Sequence, residues 1–304
     1  MVTMPGSGDE EGFRSGFVAL VGRANAGKST LANRLLGQKV SIVSDKPQTT
    51  RHRITCVLTS PTHQLILLDM PGFQKPRDLL TSRMQSVVTA TLSEVDAVLF
   101  LLPGDQRIGR GDVFIANHLA KVATPVVVAV NKADLLGPEE AERQVATAGA
   151  LGSFGEVHLI SALDGEGLEG LRTALEALLP EGPHYFPPDM VTDQPEEQLM
   201  AELVREKILE VTQEEVPHSV AVQVLEVEPR EGRDLVDVRV AIYVERDSQK
   251  PIILGEGGLR LKRIGIEARA DIERLLGSQV YLELVVRVRK HWRRDPRALG
   301  RLGL

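Results

Sequence analysis

The segment Gly22-Arg-Ala-Asn-Ala-Gly27-Lys28-Ser29 fits the pattern G-x-x-x-x-G-K-[ST] in full. It follows an apolar run, Phe17–Val21, and opens a helical stretch, Ser29–Leu36. This context constrains the fold more than any other feature of the chain. The glycines let a strand turn abruptly into a helix, so that successive backbone N–H groups and the helix N-terminus face an anion. In such a loop Lys28 reaches the β- and γ-phosphates of a nucleotide and the Ser29 hydroxyl holds Mg²⁺. The backbone of Gly22, Arg23, Ala24, Asn25, Ala26, Gly27 and Thr30 completes the expected cradle.

The runs that follow agree with that start. Ile54–Leu58, Leu65–Leu68, Ala97–Leu102, Val126–Val130 and Val157–Ile160 are nearly continuously apolar, as strands buried on both faces of a mainly parallel sheet should be. Between them lie helix candidates near Leu79–Leu92, Gly111–Ala120, Glu139–Ala150 and Leu168–Leu179. The alternation predicts a doubly wound α/β domain with its ligand at the carboxyl ends of the strands.

Further motifs stand at those strand ends. Asp69-Met-Pro-Gly72 follows Leu65–Leu68, placing Asp69 to bind Mg²⁺, directly or through water, and the Gly72 N–H to meet the γ-phosphate. Asn131-Lys-Ala-Asp134 follows Val126–Val130. A carboxylate there accepts from both N1–H and the N2 amino group of guanine, a donor pair that adenine lacks. Asn131 can tie neighbouring loops together, the Lys132 stem can lie along the purine face, and Ser161-Ala162-Leu163 can offer a backbone N–H to O6. The expected ligand is GTP or GDP.

Pro180–Pro195 holds five prolines and reads as a linker. Beyond it, Glu196–Gln213 is a helix candidate. Two strand-like runs joined by a short turn follow, Ser219–Val227 and Leu235–Val244, and these imply antiparallel pairing. Then come the turn Gly255-Glu256-Gly257-Gly258, a helix near Leu261–Leu276, a strand over Gln279–Val288 and a basic tail. The division expected is a disordered leader over 1–13, an α/β domain over 14–180, a linker over 181–195 and a smaller α+β domain over 196–304.

Charge separates these parts. Residues 255–304 contain 12 Lys/Arg and 6 Asp/Glu, whereas the rest of the chain contains 24 and 36. An acidic body with a basic end points to a polyanionic partner. The pattern G-x-x-G lets a nucleic-acid backbone approach closely, and an apolar groove beside it can take unstacked bases. Glu256 in the turn opposes phosphate, while Arg260, Lys262 and Arg263 offset it; Lys290, Trp292 and Arg293 suit phosphate contact and base stacking. For Trp292 alone, packing beneath a sheet is an equal alternative. The lone Cys56, in a strand-like run, reads as a buried thiol and, with no signal-like leader and no long apolar run, points to a cytosolic protein, and a monomer is expected.

The order of the nucleotide motifs resembles the translation-factor-related GTPases. Gly22–Thr30, Lys46–Ile54, Glu267–Leu276, Arg289–Trp292 and the linker with its following helix resemble the Era family of bacterial GTPases. That resemblance implies a P-loop domain followed by a type II KH domain, GTP hydrolysis, and binding of small-subunit (16S) ribosomal RNA in support of 30S assembly. It also implies that Thr50, or Thr49, completes the Mg²⁺ shell when the loop orders. At Phe73, where many signalling GTPases carry a water-orienting glutamine, no polar group is present. Asn25 is therefore a candidate for holding K⁺ near the transferring phosphate, with an internal arginine finger from Arg23 or Arg51 as the rival. Lys28, Thr50, Gly72 and Asn25 form the expected hydrolytic set. The alternative reading of the basic end is an anionic membrane surface, with the protein peripheral on the inner face of the membrane.

Overall fold

The computed structural model describes residues 12–304. The expected leader therefore lies outside the described residues for its first eleven positions. Its last residue, Phe13, is buried and stacks on His184 with ring centroids 4.0 Å apart, so the packed chain begins earlier than expected.

The first part runs β1 (Arg14–Val21), α1 (Lys28–Leu36), β2 (Ile54–Thr59), β3 (His63–Asp69), α2 (Leu79–Thr91), β4 (Ala97–Pro103), α3 (Arg110–Leu119), β5 (Val126–Asn131), α4 (Pro138–Gly149), β6 (Val157–Leu159) and α5 (Leu168–Ala177). Its sheet has the order β2-β3-β1-β4-β5-β6, parallel except for the β2–β3 pair. Every residue of β4 is buried, which is why its sequence, Ala-Val-Leu-Phe-Leu-Leu-Pro, shows no polar alternation. Ala19, Ile66, Val98, Phe100 and Val128 join Ile115 and Leu119 of α3 in one core.

The second part runs α6 (Glu196–Val211), α7 (Val216–Ser219), β7 (Ala221–Pro229), β8 (Leu235–Val244), α8 (Lys250–Leu254), α9 (Leu259–Leu276), β9 (Gln279–Val288) and α10 (Pro296–Arg301). Here β7 pairs antiparallel with β8, as the short turn implies, and β8 pairs parallel with β9. Val204, Ile208, Val240, Ile242, Ile264 and Ile272 fill the core between α6, α9 and the sheet.

The compact units do not follow the chain continuously. One holds the chain up to Lys39, Arg53–Phe73 and Val88–Asp193; the other holds Val40–His52, Gln74–Val87 and Gln194–Leu304. The loop Val40–His52 and the segment Gln74–Val87, which holds most of α2, thus belong to the C-terminal unit.

The proline-rich segment is more than a spacer. The Gln64 side chain accepts the N–H groups of Tyr185 and Phe186 at 2.9 and 3.0 Å and donates to the Phe186 carbonyl at 2.9 Å, acting as one rung of a strand. Val57 N–H donates to the Val191 carbonyl at 2.9 Å. The basic tail is also structured. Asp295 caps α10 by accepting from Arg297 N–H, Pro296 occupies its first turn, and Ala298, Leu299 and Leu302 are buried. The Cys56 side chain is buried, as expected.

Candidate functional site

The phosphate loop leaves β1 at Gly22, where a Cβ would collide with the Leu101 carbonyl of β4. It ends at Gly27, whose φ of 92° only glycine adopts without strain. No side chain caps α1, so the N–H groups of its first turn are left for an anionic ligand. Lys28 is buried, and its Nζ donates to the carbonyls of Arg23 at 3.1 Å and Gly22 at 3.4 Å. Burial lowers its pKa, opposed by the charge of Asp69. An ammonium stripped of water in this way gains most from a phosphate placed beside it.

Ser29 Oγ donates to Asp69 Oδ2 at 2.6 Å, and Asp69 closes β3 fully buried. A hydroxyl and a carboxylate side by side at a helix N-terminus are the hard oxygen donors Mg²⁺ takes from a protein when phosphates supply the others, so these residues fit the ion. Gly72 lies against the loop: a Cβ there would stand 2.8 Å from Ala24 N. Phe73 N–H donates to the Gly22 carbonyl at 3.0 Å, while its ring packs 5.8 Å from Phe114 and 5.5 Å from His118.

Asn131 ties the loops together as expected. Its Nδ2 donates to the Ala26 carbonyl at 2.9 Å and its Oδ1 accepts Ala162 N–H at 2.9 Å. An Ala162 contact with guanine O6 would therefore share that donor. Asp134 is exposed and accepts from the Ser161 hydroxyl at 2.6 Å, which aims the carboxylate. Lys132 adopts φ 68° and pairs with Asp105 at 2.9 Å, which aligns its stem. Leu163 is 71 % exposed beside them. The structure brings together every expected nucleotide residue from Gly22 to Leu163 except Thr50, which belongs to the second unit and is buried there. Thr49, also in that unit, donates its hydroxyl to the Lys46 carbonyl at 2.7 Å.

Both arginines named as candidate fingers hold other partners. Arg23 Nε is bound by Asp112 Oδ1 at 2.7 Å. Arg51 is buried in the second unit, donating to the carbonyls of Val220 at 2.7 Å and Pro217 at 3.3 Å. Burial, with the like charge of Arg205, lowers its pKa to about 9, so it stays charged at neutral pH.

In the second unit the turn after α8 carries positive φ at Gly255, Gly257 and Gly258, and a Cβ at Gly255 would stand 2.6 Å from that of Arg260. A groove of about 410 Å³ opens beside it, lined by Gly258, Leu261, Gly265, Ile266, Tyr281 and Leu284, with Lys262 and Arg269 at its edge. Leu259, Ile266 and Tyr281 are 67 %, 53 % and 58 % exposed, the apolar faces that unstacked bases need. Sequence reading missed Tyr281, whose only local signal is an outward place on β9. Glu256 is exposed on the turn; of its expected basic offsets, Arg260 donates to the Ile252 carbonyl and Arg263 pairs with Glu267 at 2.8 Å. The third, Lys262, lines the groove, together with Arg269.

Two of the expected nucleic-acid residues need correction. Trp292 is fully buried, and its Nε1 donates to the Ser219 carbonyl at 2.9 Å, so no base can stack on it. Arg293 pairs with Glu245 at 2.8 Å and Asp78 at 3.5 Å, which already take up its guanidinium. Lys290 is exposed, 3.9 Å from Asp247.

Residues 17–132 match the family described as 50S ribosome-binding GTPase, and residues 215–293 match the KH domain. The chain is 47 % identical to the GTPase Era of Alkaliphilus oremlandii over 291 residues, covering 96 % of this chain and 99 % of the relative. It is 49 % identical over 295 residues to the GTPase Era of a Mycobacterium species (strain JLS), with the same coverage. The chain belongs to the Era family of GTPases. Among solved structures, Era in complex with MgGDPNP and nucleotides 1506–1542 of 16S ribosomal RNA matches with a TM-score of 0.93 at 40 % identity, covering 96 % of this chain and 99 % of that one. Aquifex aeolicus Era bound to GDP·AlF4⁻ matches with a TM-score of 0.92, at the same identity and coverage. Like its relatives, this member of the Era family is a GTP-hydrolysing enzyme.

Proposed function

We propose that the chain is a GTP-driven switch that grips single-stranded small-subunit ribosomal RNA in the groove beside Gly255–Gly258 and assists assembly of the 30S subunit. The domain over 14–180 turns over GTP, and that over 196–304 holds the RNA. The observation that carries this reading is the apolar groove, with its exposed Tyr281 and the cations Lys262 and Arg269, in the same chain as the phosphate loop and the Asn131–Asp134 motif. The Era complex with both MgGDPNP and 16S RNA supports it.

Asp134 selects guanine by accepting two donors, Lys28 draws the β- and γ-phosphates, and backbone N–H groups at the head of α1 neutralise them. Ser29 and Asp69 would hold Mg²⁺, which would supply positive charge to the phosphate oxygens, and Thr50 is the residue we assign to completing its shell when its loop orders. Phe73 excludes water from one side but orients none, so intrinsic turnover is slow, and Asn25 is the side chain we assign to a K⁺ ion that offsets transition-state charge. The lipid-surface alternative loses Trp292 and Arg293, both committed to other partners. No helix among the described residues is long and apolar enough to cross a membrane. We place the protein in the cytoplasm as a monomer.

The test is selection of bound RNA from a total bacterial pool. Enrichment of one single-stranded small-subunit segment supports the reading. Sequence-blind recovery that disappears with added salt would refute the RNA assignment while leaving the GTPase intact.

A further inference from the structure

We propose that the Arg23 side chain and Asp112 form a positioning pair that holds the phosphate loop in its hydrolysis-competent shape. The inference rests on GTP being the substrate. Arg23 sits among backbone groups that all serve the phosphate site. Its carbonyl accepts from Lys28 Nζ at 3.1 Å and from Ala26 N–H at 3.4 Å. The preceding carbonyl, of Gly22, accepts from Lys28 Nζ at 3.4 Å and from Phe73 N–H at 3.0 Å. A rotation at Arg23 therefore moves the phosphate-binding lysine and the peptides of Ala24 and Asn25 together.

The side chain leaves the loop for α3. Its Nε donates to Asp112 Oδ1 at 2.7 Å, and Asp112 is fully buried. The other Asp112 oxygen accepts Gly109 N–H at 2.9 Å, which locks the carboxylate into the first turn of the helix. Gly111 makes room, because a Cβ there would stand 2.9 Å from Arg23 Cδ. Further along the same helix, Phe114 and His118 flank Phe73. Side chains of α3 thus touch both the start of the phosphate loop and the residue that follows Asp69–Gly72.

The purpose of such a pair is geometry more than stability, since desolvation offsets much of the attraction between buried charges. Arg23 Nη2 is buried with no hydrogen-bond partner among the described residues, so Asp112 is the ionic anchor of this side chain. Nucleotide binding relies on many backbone N–H groups, whereas hydrolysis depends on their alignment, which small misplacements degrade steeply. The pair therefore acts on kcat more than on KM.

The experiment compares the full chain with Arg23→Ala, Asp112→Asn, the double variant and Arg23→Lys, at saturating Mg²⁺. Steady-state GTP turnover, binding of a fluorescent GDP analogue and thermal melting are read on each. Each single variant should lose about tenfold in kcat with KM and GDP affinity within about threefold. The double variant should be no slower than the worse single one, because the two act as a unit. Arg23→Lys, which keeps a cation opposite Asp112, should retain most of the rate. Losses that multiply in the double variant, kcat values unchanged in the singles, or Arg23→Lys as slow as Arg23→Ala would overturn the pair. A parent chain with no GTP turnover would overturn the GTPase reading itself, and the two failures are distinct.

Discussion

Replacing Trp292 by alanine should cost more than any change on the exposed surface of the C-terminal unit. The indole is fully buried among Leu80, Met84, Ala221, Ala298 and Leu299. Its Nε1 donates to the Ser219 carbonyl at 2.9 Å, and the Arg51 guanidinium stands 5.6 Å from its ring centroid. Truncating a buried tryptophan costs about 3–5 kcal/mol through lost burial and the cavity left behind. The Ser219 carbonyl then loses its donor, and a desolvated cation–π contact of about 1–2 kcal/mol disappears with it. Trp292→Phe keeps most of the apolar volume but not the hydrogen bond, so it should cost about 1–2 kcal/mol. Urea unfolding followed by circular dichroism measures both variants. Because this is the only tryptophan in the chain, its emission in the parent reports this place alone and should be that of a buried indole. A loss under about 1 kcal/mol for Trp292→Ala, together with water-exposed emission, would refute the packing and return the residue to the surface.

The remaining predictions concern the nucleotide and one histidine. Asp134→Ala should weaken GTP binding about 10- to 100-fold, the value of two charge-assisted hydrogen bonds, and leave the weak binding of ATP unchanged; equal loss for both nucleotides would contradict its role in reading guanine. K⁺ should support faster GTP turnover than Na⁺, and Asn25→Ala should erase that difference; equal rates of the parent in both salts would remove Asn25 from the mechanism. His218 is half-buried, and burial, then the charge of Arg51, lowers its pKa below the usual 6.5. The unfolded chain therefore takes up the proton first as pH falls, so the folded state loses stability below about pH 6.5. His218→Gln should flatten that slope in urea melts between pH 5 and about 7, and an unchanged slope would rule the histidine out.

The nucleotide site was legible because its residues recur at fixed strand ends and their chemistry is local. Lys28, Ser29, Asp69, Asn131 and Asp134 follow apolar runs that could only be buried strands, and the sheet then brings them together. What sequence could not show depends on distant partners. The loop Val40–His52 joins the C-terminal unit through the Arg205 guanidinium on the Thr49 carbonyl and through Glu206, which accepts Val43 N–H at 2.9 Å. Nothing near those loop residues announces either contact. The proline-rich segment read as a linker because its ordering comes from partners distant in sequence, such as the Gln64 side chain and the Val57 N–H. Trp292 read equally as a stacking or a packing residue, since an aromatic among cations has the same local pattern in both settings, and Arg293 read as a nucleic-acid contact. Only the carbonyl of Ser219 and the carboxylates of Glu245 and Asp78 decide the matter.

The central claim, that one chain couples a guanine-nucleotide state to a grip on single-stranded RNA, is tested most directly by one titration. The selected RNA segment is added to the full chain loaded with a non-hydrolysable GTP analogue or with GDP, at one fixed salt concentration. Binding should be at least about fivefold tighter in the GTP-analogue state, and should be lost in Tyr281→Ala. Equal affinity in the two states would contradict the switch.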